Sequence, residues 1–153
     1  MTRIMYDSVS PAGIPEGAEL VGGYVNGRFK WTPADWARFP RAAHVGVNVN
    51  GDLADGGDIL DVERFDAVPG QIPAWVRGRH AAGGMHGVYC SLATLPAVQA
   101  ILRSIPIPTA IWVADWTDAA HQVTGCAATQ YRNTPGYDES AVYDDGWHPT
   151  PKS

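Results

Sequence analysis

The sequence predicts an α/β chain folded as a compact, helix-poor (β/α)8, TIM-like barrel, and three observations predict it. Eight short β-rich runs are spread along 153 residues. The earlier runs alternate with helical segments, a pattern that builds a mainly parallel sheet. The late links have no room for helices, and the chain is far shorter than the ~250 residues usual for such a barrel, so some helices must be missing there. An open doubly wound sheet is the competing architecture. No Gly-x-Gly-x-x-Gly follows an early strand, so a dinucleotide site has no support.

The elements follow in order. Residues 3–9 read as a strand that ends at Ser10-Pro11-Ala12-Gly13. Residues 20–25 read as the second, closed by the turn signal Asn26-Gly27. Thr32 then offers an N-cap and Pro33 the first position of a short helix that stops near Pro40. Residues 44–50 form the third strand, ended by Asn50-Gly51, and residues 59–63 the fourth, with a loop over residues 66–69. Residues 71–82 read as a helix stopped by Gly83-Gly84, followed by a strand over residues 86–91. Leu95, Val98, Ile101 and Leu102 recur at helical spacing within residues 92–104. Strands over 109–116, 126–131 and, more weakly, 140–143 complete the set. The barrel is expected to occupy residues 1–147, with 148–153 as a C-terminal tail.

Composition narrows the function. A net charge of −5 and the lack of any Lys/Arg run exclude a nucleic-acid footprint and oppose an anionic membrane. The N-terminus lacks the apolar stretch of a signal peptide, so synthesis in the cytoplasm is expected, as is a monomer. Cys90 and Cys126 are too few for a disulfide scaffold and read as small buried residues on strands. The five histidines show no ligand spacing.

Acidic residues fall at strand ends, where parallel α/β folds build their sites: Asp7, Asp61, Glu63, Asp115 and Asp138. Asp61 and Glu63 are two apart, so on a strand they share a face, with Val62 opposed. Two neighbouring carboxylates repel and one holds its proton longer; Glu63 is expected to be that group, raised by desolvation and by Asp61. A single Asp-x-Glu is also what a solvated strand end looks like, and clustered carboxylates also suit magnesium or calcium. Tyr6, Tyr24, Tyr89, Trp112, Trp116 and Tyr131 lie beside the acids. Such residues are usually packing, but Trp116 and Tyr131 at strand ends suit a sugar platform, and Gln130 offers an amide.

In order, these segments resemble family 25 of the glycoside hydrolases, the lysozyme-type muramidases of phages and bacteria, and related actinobacterial and phage domains. The resemblance rests on Met5-Tyr6-Asp7, Ile59-Leu60-Asp61-Val62-Glu63, Gly87-Val88-Tyr89-Cys90-Ser91, Trp112-Val113-Ala114-Asp115, Thr129-Gln130-Tyr131 and Tyr137-Asp138-Glu139-Ser140. Asn48 and Asn50 stand where that family often has aromatic and basic residues. The resemblance implies a glycosidase acting on peptidoglycan glycan strands, with no cofactor and no metal. It implies Glu63 as proton donor and Asp61 as nucleophile or as stabiliser of an intermediate formed by the substrate's N-acetyl group. Asp7 and Asp138 would orient water or the N-acetyl group and tune Glu63, with Asp115 at the rim and Asp115, Trp112, Trp116, Tyr24, Tyr89, Gln130 and Tyr131 meeting the glycan. Action on the cell wall would follow release from the cell or travel as part of a virion. The alternative is a glycan-binding or virion-associated domain that keeps the barrel without turnover.

Overall fold

The computed structural model describes residues 2–143. The expected tail, residues 148–153, and the expected barrel boundary at 147 lie outside the described residues. Eight strands close into one barrel in sequence order. They are β1 (Arg3–Asp7), β2 (Leu20–Tyr24), β3 (Ala43–Asn48), β4 (Ile59–Val62), β5 (Gly87–Ser91), β6 (Ala110–Ala114), β7 (Ala128–Asn133) and β8 (Asp138–Val142). Neighbours from β1 to β7 pair in parallel. The last strand differs: β8 runs antiparallel to both β7 and β1. A tight turn, with Thr134 N–H on the Tyr137 carbonyl at 2.9 Å, leaves no length for a crossover, so the chain can only double back.

Three α-helices are present among the described residues: α1 (Pro33–Ala37), α2 (Ile72–Ala81) and α3 (Leu95–Arg103). The N-cap expected at Thr32 is there. Its hydroxyl accepts the Asp35 N–H while the Asp35 carboxylate accepts the Thr32 N–H, a reciprocal capping box. In α2, Ile72, Trp75 and Val76 are buried at helical spacing, and Gly83 follows with φ +72°, a left-handed turn that suits glycine. Trp75 is fully buried and donates its indole N–H to the Gly87 carbonyl at 3.2 Å, tying α2 to β5. Truncating it to alanine should cost about 3–5 kcal/mol.

Alternation along the strands sorts the side chains into layers. Leu60, Val62, Val88 and Val113 face outward and pack under α2 and α3. Val21 faces outward under Trp31 and Phe39 near α1. Met5, Leu20, Val45, Ile59 and Trp112 fill the interior. Cys90 lies on β5, Cys126 precedes β7, and both are free and buried. Asn48 ends β3 as a loop organiser. Its amide donates to the carbonyls of Asp52 and Gly56, both at 2.9 Å, and its oxygen accepts the Gly51 N–H.

Candidate active site

The carboxyl ends of the parallel strands form one rim of the barrel, and the antiparallel β8 begins at that same rim. The β1–β8 register sets Asp7 directly opposite Asp138. Asp138 is thus the first residue of the last strand, delivered to the rim by the reversal of direction. A cleft of about 180 Å³ opens there, and Asp7, Asp61, Glu63 and Asp138 all line it. Tyr24, Tyr89, Trp112, Trp116 and Gln130 share the lining. On the Asp7–Asp138 side the cleft adjoins a lobe of about 510 Å³ that shares Asp7, Tyr24 and Asp138 but excludes Asp61 and Glu63.

Gln130 is the hub of the floor. Its amide nitrogen donates to both oxygens of Asp7, at 3.1 and 3.0 Å, and to Asp138 at 3.3 Å. Its amide oxygen accepts the Tyr89 hydroxyl at 2.7 Å. Trp112 backs this network, donating to the Ser140 hydroxyl at 3.0 Å and meeting the Tyr89 ring edge-on at 4.8 Å. Asn133 donates to the other oxygen of Asp138 at 2.5 Å. Gly22 makes room: a Cβ there would stand 3.1 Å from the Asp7 Cβ. The Gly22-Gly23 pair inside a strand is the sequence sign of that close approach.

Two predicted residues are not in the lining. The sheet's alternation turns Gln130 inward and Tyr131 outward. Tyr131 is buried, and its hydroxyl donates to Glu139 at 2.8 Å, so it cannot serve as a sugar platform in this arrangement. Asp115 lies just past β6 at the rim, paired with His121 Nε2 at 2.9 Å. Asp66, on the loop after β4, is a further acidic group beside the pair, and no strand-end position marks it in the sequence. One oxygen from each of Asp61, Glu63 and Asp66 falls within 4.8 Å of the others. Hard cations use such spacing, but acidic spacing alone does not make a metal centre.

Crowding and burial raise these carboxyls together. Asp7, 6% exposed, is pushed well above the usual range by burial and by Asp138, against the Gln130 hydrogen bond. Burial, then Glu63, Asp66 and Asp7, push Asp61 up to about 8. Glu63 is raised too, but by partial burial and Asp66, rather than by Asp61 as the sequence suggested. The pair's repulsion falls on Asp61 because it is the deeper member, 3% exposed, with Oδ1 buried and without a hydrogen-bond partner. Glu63 stands at the open mouth, where solvent screens it. Asp138 is raised by burial against the Asn133 hydrogen bond. A larger cavity, about 930 Å³, lies at the opposite end of the barrel by Arg3 and Arg41 and contains none of these groups.

Fold and site together define a helix-poor (β/α)8 barrel with a carboxylate cleft at the carboxyl rim. The chain is similar in structure to a family GH25 lysozyme from Aspergillus fumigatus, with TM-score 0.61 and 11% identity over 94% of this chain and 95% of that one. The chain is similar to a muramidase from Acremonium alcalophilum, with TM-score 0.63 and 13% identity over 94% of each chain. It is similar to a lysozyme from Streptomyces coelicolor, with TM-score 0.58 and 13% identity over 93% of this chain and 92% of that one. It is also similar to the modular Cpl-1 endolysin, solved with a peptidoglycan analogue, with TM-score 0.63 and 15% identity over 93% of this chain and 54% of that one. No protein-family model matches the sequence, and no curated protein does. The fold is that of the family 25 lysozymes and muramidases.

Proposed function

We propose that this protein is a glycoside hydrolase that cleaves the glycan strands of bacterial cell-wall peptidoglycan. One observation carries the reading: Asp7, Asp61, Glu63 and Asp138 line a single cleft at the catalytic rim of this fold. An acidic chain has no general attraction to an anionic wall, so the glycan is held locally, by hydrogen bonds in the cleft and by Trp116, 53% exposed at its edge.

Glu63, at the mouth, gives its proton to the leaving glycosidic oxygen. Asp61, deeper, faces the positive charge that grows at the anomeric carbon. It acts as nucleophile or steadies the intermediate formed by the substrate's own N-acetyl group. In the free cleft burial favours the proton on Asp61. The pair shares that proton: its passage from Asp61 to Glu63 before the glycosidic bond breaks leaves the donor protonated and Asp61 ionised to face the developing cation. Asp7 and Asp138, joined through Gln130, position the N-acetyl group or water. Either route displaces the bond at the anomeric carbon twice, first by Asp61 or the N-acetyl oxygen and then by water, so retention of configuration is expected. We place the action at the cell wall, after release from the cell or as a virion component.

The test is digestion of purified peptidoglycan by the parent protein, with reducing ends quantified and the first-formed anomer read by NMR. New reducing ends with retained configuration are expected. Glycan binding without new reducing ends would replace the hydrolase by a binding module.

A further inference from the structure

The loop after β4 carries two departures from ordinary folding in one residue. Phe65 is 90% exposed, the most exposed large hydrophobic side chain among the described residues. Its φ of +75° is left-handed, which only Asp118 shares among the described non-glycine residues. Neither feature helps the chain fold: an exposed ring gains nothing from burial, and a bulky side chain disfavours that backbone region. Such outliers persist where the surroundings hold them, and they gather at binding sites. Here the turn is held by the site itself. Asp66 N–H donates to the Glu63 carbonyl and Ala67 N–H to the Asp61 carbonyl, both at 3.1 Å. The backbone that carries Phe65 is therefore held next to Glu63, at the rim of the cleft.

Arg64 adds the charge. Its guanidinium lies 4.7 Å from the Phe65 ring centroid, over one face. None of the residues lining the cleft is basic; Arg64 and Phe65 lie outside that lining, on the loop between Glu63 and Asp66, where Asp61, Glu63 and Asp66 cluster. An anionic substrate would be repelled along this wall except where Arg64 stands. The groove also has a direction. Its 510 Å³ lobe lies beyond Asp7 and Asp138, and Glu63 lines the cleft but not that lobe. A proton donor stands next to the leaving group, so the loop hydrogen-bonded back to the Glu63 carbonyl stands on the leaving side of the cleft.

Building on the hydrolase reading, we propose that Arg64 and Phe65 form a leaving-side subsite for peptide-substituted glycan. The ring takes the apolar face of a sugar, and the guanidinium takes a carboxylate of the peptide carried on that half of the strand.

The experiment compares two substrates, peptide-bearing glycan fragments and uncharged N-acetylglucosamine oligomers, across the parent, Phe65→Ala, Phe65→Tyr and Arg64→Gln. Phe65→Ala is expected to raise KM roughly 3–10-fold on both substrates with little change in kcat, the effect of one lost aromatic contact. Phe65→Tyr should restore the parent KM. Arg64→Gln should weaken the peptide-bearing substrate about 3-fold more than the uncharged one, as befits an exposed ion pair. An unchanged KM in Phe65→Ala, or equal effects of Arg64→Gln on both substrates, overturns the subsite while hydrolysis stands. A parent that cleaves neither substrate overturns the hydrolase reading instead, and equilibrium binding of the same proteins to the same two glycans then decides the subsite by the same criteria.

Discussion

Met5 and Asp7 are two residues apart on β1 and point to the same side of the sheet, yet they belong to opposite regions of the barrel. Met5 is wholly buried among apolar neighbours. Asp7 is almost as buried, but among carboxylates. The same step recurs on β4, where Ile59 is core and Asp61 is site, and in reverse on β8, where Val142 is core and Asp138 is site. The lower interior is apolar and stabilises the barrel by removing surface from water. The upper interior holds like charges, and a buried carboxylate oxygen on Asp61 lacks a partner. One set of strands thus stabilises the fold at one end and spends some of that stability at the other, which is the usual position of an active site.

Predictions follow that contrast. Glu63→Gln removes the proposed proton donor and keeps the shape. Turnover of peptidoglycan should fall ~10²–10⁴-fold, with the denaturation midpoint hardly moved. Parent-level turnover would remove Glu63 from the role assigned to it. In the lower layer Ile59→Ala should do the opposite. It opens a cavity in the apolar core and should cost about 2–5 kcal/mol in urea unfolding, while the folded fraction keeps its activity.

Asp61→Asn should uncouple the two regions in one protein, losing turnover but gaining stability. The sign follows from linkage. Asp61 sits at about 8 in the folded state, against ~3.9 in an unfolded chain. Between those values the folded state binds the extra proton, so Asp61 makes the parent less stable as pH rises from ~4, until the loss is complete above the folded pKa. Asn carries no such penalty. The variant should unfold later than the parent at pH 7–8, by roughly 1–3 kcal/mol, with the difference vanishing near pH 4. Equal stability of the two proteins across that range would show that burial of Asp61 is compensated. The smallest effect is expected for Phe65→Gly, which relaxes the left-handed turn. It should raise stability by about 1 kcal/mol in thermal unfolding, since non-glycine strain of this kind costs ~1–3 kcal/mol. No gain would mean that the turn is unstrained.

Much of this was legible along the chain. Eight strands, the helix capped at Thr32 and the acids at strand ends all come from short-range signals: alternation, capping chemistry and turn residues. The pairing of Asp61 with Glu63 on one face, with Val62 on the other, needs only the two-residue period of a strand. Other features depended on partners distant in the chain. Gln130 touches Asp7 across 123 positions, and no local pattern reports that contact. Tyr131 and Gln130 are neighbours, and which of them faces inward was fixed by the register of β7 against β6 and β8. Asp66 reaches the acid pair because Phe65 turns the chain back on itself. The reversal of β8, which seats Asp138 opposite Asp7, follows from the shortness of its connection and the need to close the barrel. Sequence by itself therefore determined which residues could be acidic, aromatic or buried and on which element each would lie. The tertiary structure alone decided which of them meet, because burial and repulsion among carboxylates depend on distances that strand pairing sets and the one-dimensional order of residues does not contain.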